Sequence, residues 1–390
     1  MIIYIIVFLI SIGLIFVGEN VKNKSKFLFY FIAILIPSLL AGGRADFVGT
    51  DVRNYVEPIQ LYANTCSNVT DYLNSNVQLV NNVTFSRIEK GYTLLIYLCS
   101  RFDKTLFLNF FITEFLILLL VLIGLYKFKQ QNKNFSISMG MLIYYLVFYN
   151  MSLNMVRQSI AMSFLFLGFV YLIQKEWIKY LVFVVIAILF HRTAIIGMIP
   201  LFIYYFLTRS NSINNNDDVI QNNVVRKTQL HRSIILILIL GFFVFNISFL
   251  TKILNLVGLS ELTQGYLINL TYGISWFDLI LRIPFIIIFI IFLINSRNNK
   301  YHYFYFVLVI LDILLSMLGR MSTYSGRIAL YTLMYYIYIT PDAISNLDTE
   351  NKTIKIVIET LLIMYLLVYW YYTIVYYNFN QTVPYVWNGF

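Results

Sequence analysis

Leu106-Phe107-Leu108-Asn109-Phe110-Phe111-Ile112-Thr113-Glu114-Phe115-Leu116-Ile117-Leu118-Leu119-Leu120-Val121-Leu122-Ile123-Gly124 carries a single charge, Glu114, and is closed off by Lys104 before it and by Lys127 and Lys129 after it. A hydrocarbon core of about 30 Å is crossed by roughly 20 apolar residues, so this run reads as a transmembrane helix. The same reading extends along the chain. With 60% hydrophobic and 12% charged residues and a mean hydropathy of +0.76, the composition excludes an ordinary soluble domain, in which about a quarter of residues are charged. Twelve spans are expected, near 2–18, 27–42, 105–126, 137–151, 156–173, 178–191, 194–208, 233–250, 277–295, 303–319, 328–341 and 355–377. The fold class is therefore all-α, a polytopic membrane protein forming a single transmembrane domain over 1–390. Met1 to Val17 lacks the basic start and small-residue cleavage site of a signal peptide and reads as a retained first helix.

Orientation follows from lysine. Lys22, Lys24 and Lys26 lie in the first loop, Lys127, Lys129 and Lys133 in the third, and Lys175 and Lys179 in the fifth, so odd loops are expected in the cytoplasm. The exterior side then holds a long loop, about 43–104, within which 91–100 is apolar but too short to span and reads as a re-entrant or interfacial helix. The Asn-rich stretch 209–232 reads as a solvated cytoplasmic linker. On this topology 12 of 15 Lys fall inside and 9 of 13 Arg outside. Arginine against the positive-inside tendency, with a planar fork suited to phosphate or carboxylate, points to an anionic ligand on the outer face. The rival reading is local pairing of each Arg with Asp46, Asp51, Glu89 or a lipid head group. The formal charge of +10 is scattered between spans, not gathered in a stripe, which argues against nucleic acid. Cys66 and Cys99 share the exterior loop and are either bridged or two separate thiols, and no Cys/His spacing offers a metal site.

The polar residues expected at the outer face are Arg44, Asp46, Asp51 and Arg53, then Glu89, then Asn154, Arg157 and Gln158, then His191 and Arg192, and later Arg320 and Arg327. Carboxylates and a histidine beside several arginines supply a general base and an electrostatic clamp for a departing pyrophosphate. His191, at the tight join of two helices, reads first as a hydrogen-bonded turn residue and second as a catalyst. Glu114, Asp312 and Glu359 lie in or near spans, where an ionisable group is either functional or paired. Asp278 and Arg282, spaced i, i+4, read as a structural ion pair.

These residues fall into a sequence of motifs: Arg44-x4-Gly49-Thr50-Asp51-x3-Tyr55, Glu89-x-Gly91-Tyr92, Asn154-x2-Arg157-Gln158-x2-Ala161, Phe190-His191-x-Thr193-Ala194 and Arg327-x3-Tyr331. The series resembles that of the EpsG-type polysaccharide polymerases, a branch of the Wzy-like proteins, over about 44–331. The resemblance implies a bacterial inner-membrane enzyme of GT-C-like helical architecture. Such an enzyme moves a growing glycan from undecaprenyl pyrophosphate onto the non-reducing end of the next lipid-linked unit at the periplasmic face. O-antigen is the product class expected. A flippase and a chain-length regulator are the implied protein partners, and no cofactor or metal is implied. Placed on these positions, Arg157, Arg192 and Arg327 grip the pyrophosphate. Glu89 or Asp51 serves as base, with His191 as the substitute, while Arg44, Gly49, Thr50, Tyr55 and Gln158 shape the loop or bind glycan. A flippase for the same lipid-linked sugars, a glycan ligase or acyltransferase, and a non-catalytic scaffold are the alternatives. The absence of an internal repeat and the gathering of charge at one face speak against transport.

Overall fold

The computed structural model describes residues 1–78, 84–208, 219–246, 249, 252, 255–256, 276–295, 301–317, 323–347 and 352–388, with side chains of the helix beginning at Val219 described from Arg226. Among these the chain is helical throughout, with no strands and only two isolated bridges, Arg44 to Trp387 and Gln78 to Thr84. It divides into two compact units, Met1–Ile195 with Glu359–Phe390, and Ile196–Ile358. Six helices are long and apolar enough to cross a membrane, and further apolar helices are shorter. This is a membrane protein.

The first unit contains α1 (Ile2–Asn20), α2 (Lys26–Gly42), α3 (Glu57–Thr65), α4 (Val69–Leu73), α5 (Lys90–Ser100), α6 (Phe107–Lys129), α7 (Ile137–Tyr144), α8 (Asn150–Ser152), α9 (Val156–Ile173) and α10 (Trp177–Phe190). The second contains α11 (Met198–Thr208), α12 (Val219–Phe245), α13 (Trp276–Asn295), α14 (His302–Ser316), α15 (Thr323–Leu333) and α16 (Tyr336–Ser345). The long α17 (Lys352–Trp370) runs into the first unit. In the first unit α1 packs on α2, α2 on α6, α6 on α9 and α9 on α10. Helix α9 is the centre: 83% of its apolar window is buried, against 17% for the window containing α17. The expected 91–100 segment is the short helix α5, packed on α3 and α10. Helix α12 begins inside the stretch expected as a linker, so 219–232 is helical, while 209–218 lies outside the described residues.

In lipid every backbone group must be satisfied within the protein, and α2 shows how the sequence manages this. Pro37 has no N–H, which strips the Ala33 carbonyl of its helical partner. Ser11 Oγ on α1 donates to that carbonyl at 2.7 Å and also meets Tyr145 Oη at 2.6 Å. Tyr149 Oη donates to the Pro37 carbonyl at 2.6 Å. Tyr145 and Tyr149 bracket a π-helical turn, Tyr145–Tyr149, between α7 and α8. At the opposite end of the bundle, Glu19 at the C-terminus of α1 accepts from the amides of Ile137 and Ser138 at 2.8 and 2.9 Å and pairs with Lys129 at 3.0 Å. A carboxylate thereby caps the α7 N-terminus, where the helix dipole favours it.

In the second unit, Arg282 is bound bidentately by Asp312, Nε to Oδ2 at 2.7 Å and Nη2 to Oδ1 at 3.0 Å, and Thr332 Oγ1 donates to the same carboxylate at 2.9 Å. Asp278 stands off at 3.9 Å. The i, i+4 pair expected from sequence is thus present at the edge of contact and is joined by a shorter interhelical one, because a planar guanidinium in a dry bundle gains more from a two-pronged carboxylate than from a neighbour on its own helix. Asp312 is a structural partner. Cys66 and Cys99 are free thiols.

Replacing Ser11 with Ala leaves the Ala33 carbonyl unsatisfied and should lower unfolding stability in detergent by about 1–3 kcal/mol. Pro37→Ala in that background, by restoring the helical N–H, should recover part of the loss. Both are read from thermal unfolding of the purified protein.

Candidate functional site

The site is assembled by a break in a buried helix. After α8, Leu153 to Met155 leave the helical path before α9 begins at Val156, and Asn154 is buried in that gap. Its Oδ1 accepts from the Asp51 amide at 3.2 Å and from Thr50 Oγ1 at 3.3 Å. Gly49 has φ of +94°, where an L side chain is strained, and a Cβ there would stand 2.9 Å from Asn154 Oδ1. The Gly-Thr-Asp turn is therefore locked onto the start of α9 by a residue three positions before Arg157.

Arg157 faces Glu89. Its Nη1 meets Glu89 Oε2 at 2.6 Å, and its guanidinium lies 4.6 Å from the ring centroid of Tyr55, which sits in the π turn Val52–Val56. The other oxygen of Glu89 meets His191 Nδ1 at 3.1 Å and accepts from the Arg192 amide at 3.0 Å. His191 and Arg192 follow the last residue of α10, and Glu89 immediately precedes α5. These two helices approach closely at Gly91, where a Cβ would fall 2.6 Å from the Leu189 carbonyl oxygen. Glycine at that position sets how deeply Glu89 reaches under α10. Asp51 lies within electrostatic reach of Arg157, and Gln158 is buried on the same turn of α9.

Burial pushes the Glu89 carboxyl upward. The His191 bond, the Arg157 charge and the Arg192 amide outweigh it and pull the group down to about 2. Glu89 is thus a fixed anion with little affinity for a proton. That suits a group that holds others in place better than one that collects a proton.

The arginines expected as one anion-binding set divide by environment. Arg44 is 2% exposed, donates to the Ala41 and Leu153 carbonyls at 3.1 and 3.0 Å, and lies 3.7 Å from the Phe110 ring centroid. It shapes the loop and has no free face for glycan. Arg101 donates to the Cys66 carbonyl at 2.8 Å and to the Ala63 carbonyl, tying α5 to the end of α3. Arg53 donates to Gln381 at 2.7 Å. Arg282 is in the buried pair described above. Arg157 and Arg192 remain at the Glu89 cluster, Arg192 through its backbone with an exposed side chain. Arg327 belongs to the second unit, half-buried in α15, and Arg320 lies outside the described residues.

The structure thus joins Gly49, Thr50, Asp51, Tyr55, Glu89, Arg157, Gln158, His191 and Arg192 in one neighbourhood. Asn154 and Gly91 complete it, and both stand in the motif spacings, though their role as a latch and a close-approach point is visible only in three dimensions. The stretch 60–86, which carries no recognisable motif, is organised in its described part. Tyr72 stacks on Tyr62 at 5.6 Å and meets Phe85 edge-on at 4.9 Å and Tyr97 at a tilt at 5.0 Å, and Gln60 donates to the Asp103 and Thr105 carbonyls.

A family model described as the EpsG family matches residues 27–387. No curated protein and no solved structure matches.

Because Glu89 titrates lower in the folded protein than in the unfolded chain, its stabilising contribution is complete above the ordinary carboxylate value of about 4.3. It is lost as pH falls through about 2. Glu89→Gln should therefore unfold at lower temperature than the unaltered protein by a constant margin from pH 6 to 8, with the margin shrinking as pH drops below about 4. Gly49→Ala should cost about 1–3 kcal/mol of stability from strain at positive φ, and should expose the Asp51 turn to proteolysis.

Proposed function

The chain belongs to the EpsG family, and from that membership together with the Glu89 cluster we propose that it is a polysaccharide polymerase. Its proposed substrates are oligosaccharide repeat units carried on undecaprenyl pyrophosphate, with O-antigen as the product class. The observation that carries this reading is the convergence of separated motif residues in one place, Arg157, His191 and the Arg192 amide on the Glu89 carboxylate, and Thr50, Asp51 and Tyr55 on Asn154 and Arg157.

In this reading the protein spans the inner membrane about twelve times in a GT-C-like arrangement, with the Glu89 cluster at the periplasmic face. A sugar hydroxyl of the incoming unit attacks the anomeric carbon of the growing glycan, and the pyrophosphate departs. Such a reaction needs a proton acceptor for the hydroxyl and fixed positive charge for the leaving group. Arg157 and Arg192 are the proposed pyrophosphate ligands within the first unit, with Asp51 and His191 as the candidate acid–base groups and Glu89 holding Arg157 and His191 in place. Thr50, Tyr55 and Gln158 are placed along the glycan path. A flippase that delivers the lipid-linked units and a regulator of chain length are the expected partners.

A strain lacking the gene should display surface glycan with a single repeat unit and no ladder. Loss of a flippase or ligase would leave no repeat on the surface, and a normal ladder would overturn the polymerase reading. Arg157→Ala, expressed to normal level in that strain, should fail to restore the ladder, with a loss on the order of 100-fold or more in polymer formed. Full-length polymer from this variant would remove Arg157 from the pyrophosphate site.

A further inference from the structure

The Glu89 cluster also fixes which atom of His191 is available. The His191 backbone is held from both sides: its amide donates to the Ala187 carbonyl at 2.9 Å, and its own carbonyl accepts from Ala194 at 3.0 Å. Its ring points Nδ1 at Glu89 Oε1, 3.1 Å away. An ionised carboxylate only accepts hydrogen bonds, so the proton in this contact belongs to Nδ1, and Nε2 carries the lone pair. Among the described residues nothing else is bonded to the ring, which keeps 12% exposure. Arg157 occupies the opposite oxygen of the same carboxylate. A proton-accepting nitrogen and a fixed guanidinium are thus set side by side by one anion.

We propose that His191 Nε2 is the base that takes the proton of the attacking sugar hydroxyl, and that Glu89 is its positioning residue and not itself the base. The assignment rests on the polymerase reading. As the hydroxyl oxygen forms its bond to the anomeric carbon, the carbon–oxygen bond to the lipid pyrophosphate breaks and its electron pair leaves with the phosphate. The hydroxyl proton moves to Nε2. The imidazolium so formed is stabilised by the Glu89 carboxylate across Nδ1–H, and the proton later passes to solvent. The weak proton affinity of Glu89 keeps the charge on the ring, as required of a group that orients a base without titrating.

The test uses the purified full chain in lipid nanodiscs and, as probe, lipid-pyrophosphate-linked units extracted from cells lacking the gene, with elongation read on gels. If the unaltered protein joins no units, the polymerase reading itself falls. Given elongation, His191→Ala should lose about 100- to 10,000-fold in turnover, and added imidazole should restore at least tenfold. His191→Asn can keep a donor to Glu89 but has no basic nitrogen, and should be as inactive as His191→Ala while unfolding at the same temperature as the unaltered protein. Glu89→Gln should cost tenfold or more alone and a clearly smaller factor in the His191→Ala background, where only its hold on Arg157 is left to lose, the non-additivity of residues acting as a unit. An active His191→Asn, no response of His191→Ala to imidazole, or additive losses with Glu89→Gln would each overturn the assignment.

Discussion

One carboxylate organises one end of the first unit. Glu89 takes an arginine from α9, an imidazole from the end of α10 and a backbone amide from the next residue, while standing at the mouth of α5. Two segments distant in sequence, the start of α9 and the end of α10, meet there because each brings donors that need an acceptor in a nearly dry place. Removing one partner of such a buried pair leaves an uncompensated charge, at a cost of about 3–5 kcal/mol, whereas the intact cluster is close to neutral in stability. The cluster therefore contributes geometry more than stability: it sets Arg157 and His191 at a fixed separation that neither helix alone would define.

The rest of the bundle follows the same rule of satisfying polar groups internally. Ser11 answers the carbonyl freed by Pro37, Glu19 answers the amides at the start of α7, and Asp312 answers Arg282. Arg44 is the clearest case, a guanidinium enclosed between two carbonyls and an aromatic face where a surface charge was expected. In each case a polar side chain in or at the end of an apolar helix satisfies a group that would otherwise be left without a partner, and so ties neighbouring segments together.

Much of the fold was legible in the sequence, because long apolar runs have few alternatives to helices in a membrane. The helix bounds at Phe107–Lys129, Val156–Ile173 and Trp276–Asn295 fall close to the expected spans. The motif residues around Glu89 were legible as a group, since spacing and charge placed them at one face. What could not be read was which arginine does what. Arg44, Arg101 and Arg157 look alike in sequence, and only the carbonyls or carboxylate they meet separate two loop anchors from the partner of Glu89. The second partner of Arg282 escaped for a similar reason: helical spacing names the near neighbour Asp278, which does pair with it, and tertiary packing adds the closer Asp312. The break at Asn154 gave no signal beyond its place in a motif, because neither glycine nor proline marks it.

Residues 382–388 hold the loop that follows α2. Asn388 donates to the Gly43 carbonyl, Ala45 donates to Val386, and Tyr4 donates to the Thr382 carbonyl. Trp370 and Thr382 both bond Asn150 in the middle of the bundle. During synthesis α1 and α2 enter the membrane long before residues 370–388 emerge from the ribosome. The anchors that residues 381–388 give Gly43, Ala45 and Arg53 therefore form only after α17 has been made, and a partly made chain holds its first helices with this loop fastened at Leu153 and Asn154.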